Sequence, residues 1–561
     1  MLRNYLAAFL ILLLPASAGA ATSASRGMVS AADPRAAEAG RAILRDGGSA
    51  SDAAMAMMLA LTVVEPQSSG IGGGGFLVHH DGRSGVLSTI DGRETAPAAA
   101  RPDRFVGADG KPMSFFQAVP GGLSVGVPGN IRLMEMAHRK WGRLKWAKLF
   151  TPAIHLADNG FKITPALHDR LKLLQPLWRD FPEARAIYYG KDGQPLPVGA
   201  TVKNPALAIF LRQIARRGAA AFYQGRGAQA IVDAVANAPR NPAVLTEADL
   251  VSYQARERPA LCGRYRSYRI CGMGPPSSGA TTVLGILGLL KRFDMTAFGP
   301  DSPKSWHLIA EAMRLAYADR EKYLGDTDFV AVPVAGLIDR GYLASRSALL
   351  SPDKSLGKYE AGTPPGAAQR TEAVSSEVAG TTHFVAVDST GNVASMTSTV
   401  EGPFGSQLIA NGMFLNNELT DFTFAPEKDG APVANRVQPG KRPLSSMSPT
   451  LVYDADGRLV LALGSAGGKR IIMHVAKTLI GVIDFKLPVG AAIALPNLYF
   501  GKEGLLVEKG TSLEAMRDPL TRLGHVVVAA DLGSKVNAIE RTEAGWRGAA
   551  DPRSEGVALP E

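Results

Sequence analysis

The sequence predicts sheets covered by helical layers, an arrangement of mixed α and β structure, on three observations. Short strands come in pairs, as in Phe76 to His80 with Gly85 to Asp91 and Thr381 to Asp388 with Asn392 to Thr399. Helices apolar enough to be buried lie between those pairs, Ala53 to Val64 and Ile471 to Phe485 among them. No repeat array or coiled-coil heptad runs through the chain, so pairs and helices must stack on each other. With 561 residues, 46% of them hydrophobic and 20% charged, the chain can bury one large core or several.

Taken in order, the N-terminus "MLRNYLAAFLILLLPASAGA" places Arg3 before the apolar run Leu6 to Leu14, followed by small-x-small sites ending at Ala18 and Ala20. This reads as a secretory signal peptide over residues 1–20, too short to span a membrane comfortably. An uncleaved anchor is the alternative. No later stretch has the length and apolarity of a spanning helix, so the mature protein is expected to be soluble and exported. The formal charge of +10, or +9 without Arg3, is scattered rather than gathered into a basic stripe, which excludes a nucleic-acid footprint.

Next, "GGSASDAAMAMMLALTVVEP" offers Ser49 as an N-cap with Asp52 three residues on, opening a helix that is apolar on all sides. The glycine loop "SSGIGGGGF" follows that helix and precedes a strand. Gly70, Gly72 and Gly75 fit G-x-G-x-x-G, but dinucleotide binding needs strand before and helix after, the reverse of this order. The glycines are expected to form a tight, close-packed loop.

In "LCGRYRSYRICG", a two-residue turn at Arg266-Ser267 sets Cys262 directly opposite Cys271, where a disulfide fits. In an oxidising compartment the two should be bridged; a reduced pair on neighbouring strands is the alternative. Two thiols without a nearby His pair are too few ligands for a closed zinc site. Ser302 as N-cap, Pro303 at the first helical position, and Trp306, Ile309, Ala310, Met313 and Tyr317 on one stripe predict a long core helix. "SPDKSLGKYEAGTPPGAAQRTEAV" has no period and reads as an exposed connection. Its S-x-x-K match, Ser351 to Lys354, has no helix to aim the lysine. His79, His80 and His383 are lone strand histidines, expected to be packed or exposed rather than to bind metal.

That connection runs into two threonines. A hairpin turning at Ser389-Thr390-Gly391 brings Thr399 opposite Thr381, to within one residue, and faces their hydroxyls at the open end. A hydroxyl beside its own preceding carbonyl can attack it, giving an ester that water opens, and Gly380 obstructs that attack least. Cleavage between Gly380 and Thr381 creates an N-terminal threonine whose amino group, with an ordinary pKa of about 7.7 to 8.0, is a base within reach of its own hydroxyl. By itself the stretch also fits an ordinary hairpin with threonines at its edge.

"GTTHFVAVDSTGNVASMTSTVEGPFGS", "LNNELTDF", "KRPLSSMSPT", "LGSAGGKRI", "DGRETAP", "GIGGGGF", "AEAMRLAYADREKYLGD" and "DPRSEG" together resemble the gamma-glutamyltranspeptidase family across nearly the whole mature chain. The resemblance implies an α+β fold, the four-layer αββα sandwich of the N-terminal-nucleophile hydrolases. It also implies a proenzyme that cleaves itself into a large subunit, residues 21–380 ending in a flexible linker at about 351–380, and a small catalytic subunit, residues 381–561. The two would remain associated as a heterodimer without covalent linkage.

Carried over by motif, Thr381 is the nucleophile and Thr399 hydrogen-bonds to it. Arg93 pairs with the substrate α-carboxylate, assisted by Ser445 and Ser446, and a guanidinium suits a carboxylate because it bonds both oxygens in one plane. Glu401, Glu418 and Asp421 hold the α-ammonium. Gly467 and Gly468 form the oxyanion hole, consistent with backbone NH groups near the start of a helix. The expected substrates are glutathione and related γ-glutamyl amides, with water or an amino acid or dipeptide as acceptor. The resemblance implies no cofactor, and nothing in the sequence calls for a metal or a nucleic acid.

The chain departs from the family pattern in two places. Glu401 is Asn in some members, and the lid stretch between Asp421 and Lys441 lacks a tyrosine that others carry. The nearest rival is a glutaryl or cephalosporin acylase of the same family, whose substrates have no α-amino group; the acidic trio argues against it. A non-maturing exported binding protein is the rival from another class. Export with few cysteines makes the periplasm the expected location, with full secretion the alternative.

Overall fold

Side chains of one strand point alternately to opposite faces of a sheet, and along Thr381–Val387 that alternation divides two cores. Phe384 and Ala386 join the cluster beneath helices Pro34–Arg45 and Ala50–Val64. Val385 and Val387 face the other way, into a cluster shared with Leu451, Tyr453, Ala462 and Ile539 of a second sheet. On the far side of that second sheet, Ile270, Val452, Leu461 and Ala538 meet helices Gly279–Leu290, Pro303–Tyr323 and Arg470–Ile483. The result is helix, sheet, sheet, helix, the expected αββα sandwich. This computed structural model describes residues 27–372 and 380–561. The expected signal peptide 1–20, and residues 373–379 of the expected linker, lie outside the described residues.

The first sheet has seven antiparallel strands, in the order Val557–Pro560, Met28–Ala31, Thr381–Val387, Val393–Thr399, Gly74–His80, Leu87–Gly92 and Arg256–Arg258. The second has six, in the order Gly545–Ala550, Asn537–Thr542, Leu459–Gly464, Thr450–Tyr453, Tyr268–Met273 and Ala260–Tyr265. Strands from the two sides of position 380 interleave in the first sheet, and in the second sheet they meet at one seam, where Thr450–Tyr453 pairs with Tyr268–Met273. Each buried Val or Leu between the sheets contributes about 1.5–3 kcal/mol, and Met28, Val78 and Cys271 share that layer with Val385, Val393 and Leu451.

Local expectations hold where turn and cap chemistry dictate them. Ser49 and Asp52 form a reciprocal capping box, and every residue of Ala50–Val64 is buried. The Ser389–Gly391 turn has Gly391 at φ 81°, and the hairpin pairs Thr399 directly with Thr381. The glycine loop is close-packed as expected, since a Cβ on Gly72 would lie 2.0 Å from the Phe414 carbonyl oxygen.

Two expectations need correction. Ser302 occupies the N-cap position of Pro303–Tyr323, but its side chain makes no capping bond; Ser305 instead turns its hydroxyl to Gly299 O at 2.6 Å. Residues 351–372 carry neither helix nor strand, as expected, yet the stretch is fastened rather than freely exposed. Leu356 N donates to Glu311 at 2.7 Å, Gly362 N donates to Asp319 at 2.8 Å, and the Tyr359 hydroxyl donates to Glu311. Period-free sequence signals the absence of regular structure, but it does not reveal carboxylates on a neighbouring helix.

Candidate active site

The hairpin register sets the two threonine hydroxyls 3.2 Å apart. Thr399 Oγ1 donates its single proton to the carbonyl oxygen of Gly380 at 2.9 Å and accepts from Glu401 N at 2.8 Å. The Thr381 hydroxyl must therefore be the donor to Thr399. A Cβ on Gly380 would stand 2.2 Å from the Glu401 carbonyl oxygen, so glycine is required by close approach.

A pocket at this end of the hairpin is lined by Thr381, Thr399, Arg93, Glu401, Glu418, Asp421, Ser445, Ser446 and Gly468, with Met447 and Ile471 beside them. The structure thus gathers residues from positions 93 to 468 that sequence motifs nominated one at a time. Gly467 and Gly468 form the turn between strand Leu459–Gly464 and helix Arg470–Ile483, both at positive φ. Gly468 reaches the pocket wall and Gly467 lies one residue behind it.

Arg93 is buried, and its guanidinium pairs with Glu418 and with Asp421, the latter at 2.5 Å, while also donating to Pro443 O and Leu444 O. Burial alone would lower its pKa, but the field of Glu418, Asp421 and Glu94 outweighs burial and holds it firmly charged. Glu418 and Glu94 are pushed upward, burial being the largest cause and Arg93 the main opposing one. More carboxylates than cations are crowded here, so the pocket favours an added positive charge.

Several neighbours escaped the sequence reading. Asn417 donates through its Nδ2 to the Glu401 carboxylate and accepts from Gly402 N at 2.8 Å, fixing a Glu401 backbone at φ 78°. Thr382, next to Thr381, donates to Glu65 at 2.5 Å, and Glu65 in turn pairs with Lys535 at 2.6 Å. Arg320, buried on the long helix, donates to Ser446 Oγ at 2.8 Å. One signal was available for it: Arg320 continues the apolar stripe of Met313 and Tyr317, where a charged residue has no ordinary reason to sit.

Away from the pocket, Cys262 and Cys271 form the expected disulfide on paired strands, with Cα atoms 4.1 Å apart. The three lone histidines pack, as expected. His79 stacks on Trp141, His80 meets the Tyr453 hydroxyl at 3.2 Å, and His383 bonds Thr397 Oγ1 at 2.9 Å. Among the described residues one group of metal-ligand type occurs, His307, Glu311 and His525, which the sequence did not reveal because His525 is remote from the helix. Its ligand atoms are engaged by protein partners: His307 Nε2 donates to Ser351 O at 2.8 Å, and His307 Nδ1 meets His525 Nε2 at 2.7 Å.

The family model for Gamma-glutamyltranspeptidase matches residues 36–561. The chain is 37% identical over 551 residues to the glutathione hydrolase proenzyme of Bacillus subtilis (strain 168), covering 95% of this chain and 91% of that one. It is 36% identical over 544 residues to the glutathione hydrolase proenzyme of Escherichia coli (strain K12), again covering 95% and 91%. Among solved structures, the cephalosporin acylase from Bacillus halodurans superposes with a TM-score of 0.83 at 26% identity, over 99% of both chains.

Proposed function

This chain belongs to the gamma-glutamyltranspeptidase family, and from that premise we propose that it is a self-processing γ-glutamyl transferase and glutathione hydrolase working through Thr381. The observation that carries this reading is the pocket beside Thr381, where a buried Arg93 meets the carboxylates of Glu418 and Asp421.

In the first reaction Thr381 Oγ attacks the carbonyl carbon of Gly380. The Thr399 hydroxyl holds the carbonyl oxygen, and its lone pair faces the proton that Thr381 gives up. The peptide C–N bond breaks, an ester forms, and water opens it, leaving a Gly380 carboxylate and a free Thr381 amine. That amine then serves as base for its own hydroxyl, as in other N-terminal threonine nucleophiles.

In the second reaction Thr381 Oγ attacks the γ-carbonyl of a γ-glutamyl amide. Gly467 and Gly468 offer backbone NH groups to the oxyanion, an electrostatic contribution that is large in water-excluded sites. The amine leaves with a proton, and water or an acceptor amine resolves the γ-glutamyl ester. The substrate head group carries both an α-carboxylate and an α-ammonium. The carboxylate pairs with Arg93, Ser445 and Ser446; the ammonium pairs with Glu401, Glu418 and Asp421. Insertion of this zwitterion between Arg93 and its acids exchanges ion pairs without leaving a buried charge unpaired.

The large subunit 21–380 and small subunit 381–561 stay together because their strands interleave in the first sheet and pair along one seam of the second. No helix among the described residues is long and apolar enough to cross a membrane. We propose export to the periplasm, or secretion, after removal of residues 1–20. The likeness to a cephalosporin acylase keeps glutaryl amides as the second reading, but they have no ammonium for three carboxylates to meet.

N-terminal sequencing and intact mass of the incubated protein test the first reaction. Two chains are expected, one beginning at Thr381, and Thr381→Ala should remain one inactive chain; normal cutting of that variant refutes the assignment. Comparing γ-glutamyl with glutaryl anilides tests the second reaction, and equal or faster turnover of the glutaryl compound overturns the choice of substrate.

A further inference from the structure

The serines that face the pocket are themselves held from behind by one helix. Arg320 sits at 1% exposure on Pro303–Tyr323, and its guanidinium donates to Ser446, Ser278 and Glu321 among others. Its Nη2 donates to Ser446 Oγ at 2.8 Å. Its Nε donates to Ser278 Oγ at 2.9 Å, and Ser278 passes its own proton to Ser445 O at 2.7 Å. Its Nη1 donates to Glu321 at 2.7 Å, and the same Glu321 oxygen accepts from Lys469 Nζ at 2.7 Å. Lys469 directly follows the Gly467-Gly468 turn, and its carbonyl accepts from the Tyr317 hydroxyl one helical turn below.

We propose that Arg320 is a positioning residue for the γ-glutamyl head group, orienting the Ser446 hydroxyl directly and the Ser445 backbone through Ser278, with Glu321 and Tyr317 steadying the adjacent glycine turn. This rests on the functional reading above, in which both serines meet the α-carboxylate. The physical reason for arginine is its planar fork: three fixed N–H directions serve three partners at once, which a lysine ammonium on a flexible stem cannot reproduce. A guanidinium aimed at Ser446 Oγ also occupies that oxygen's lone pair and directs the hydroxyl proton away from Arg320. All three helix residues precede position 380, whereas Ser445, Ser446 and Lys469 follow it. The longer proposed subunit thus shapes a pocket whose nucleophile belongs to the shorter one.

Arg320→Lys, Ser446→Ala and the double variant decide it, assayed by steady-state kinetics on a γ-glutamyl anilide after self-cleavage is confirmed by mass. Arg320→Lys should raise KM about tenfold while changing kcat less than about threefold, and the double variant should fall well short of the product of the two single losses. An unchanged KM, or losses that multiply fully, overturns the proposal, because a merely structural arginine would act independently of Ser446. Should Arg320→Lys fail to mature, Ser278→Ala takes its place: a KM raised about threefold supports the chain of bonds, and an unchanged KM refutes it. If the wild-type protein turns over no γ-glutamyl anilide, the functional reading falls and this inference with it; an active wild type with unaffected variants removes this inference alone.

Discussion

Arg93 shows what a single residue can disclose and what it hides. Its place in "DGRETAP" marked it for a carboxylate, but its partners Glu418 and Asp421 are 325 and 328 positions away. Nothing local to Arg93 announces them. Because the guanidinium spans two acids and two carbonyls, Arg93→Lys leaves part of that set unpaired and removes the planar fork. We expect a KM for γ-glutamyl donors raised about 10- to 100-fold with a smaller change in kcat, read by steady-state kinetics. Unchanged kinetics would remove Arg93 from the site. Glu401 makes the complementary point: the sequence nominated it, but Asn417, which holds its carboxylate, lay unremarked in "LNNELTDF".

At the scale of elements, the hairpin Thr381–Thr399 was legible because its turn chemistry and its two strand runs agree on one register. What the pattern did not show is how its far end is anchored. Buried Asp388 accepts from Thr390 N at 2.9 Å, Thr390 Oγ1 at 2.8 Å and Asn392 N at 3.1 Å. Its other oxygen accepts from Ala50 N at 3.1 Å, at the positive end of helix Ala50–Val64. Asp388→Ala orphans the buried Ala50 N and frees the donors of the exposed turn, and should destabilise the protein by about 1–3 kcal/mol in chemical denaturation. The lesion lies at the opposite end of a seven-residue strand, about 20 Å from Thr381, so self-cleavage should persist. Loss of cleavage with unchanged stability would contradict that separation.

Across the whole molecule, burial holds several histidines neutral. His79 and His525 are lowered to about 4 and His383 to about 3, chiefly by desolvation, and His80 and His474 move in the same direction for the same first reason. Each has a folded pKa below its unfolded value near 6.5, so the unfolded chain takes up more protons on acidification. Stability is therefore intact above pH 6.5 and falls as the pH drops from 6.5 toward 4. Glu94, Glu418, Asp319 and Asp326, raised chiefly by burial, run the other way, but they are four against five. The thermal midpoint should fall by about 5 °C or more between pH 7 and pH 5. A flat profile over that range would show that these histidines do not set the acid limit.

Composition, turn residues and hydrophobic periods determined the buried helix Ala50–Val64, the threonine hairpin, the paired cysteines and the layered class, because each depends on residues close together in sequence. Shared motifs carried the list of pocket residues. The tertiary structure alone decided that Arg93 is already paired with acids, that Thr399 faces the Gly380 carbonyl, and that Arg320 stands behind Ser446. The reason is physical: a hydrogen bond acts over about 3 Å, whereas these partners are joined by up to hundreds of residues of chain, and only the closed sandwich brings them within that range.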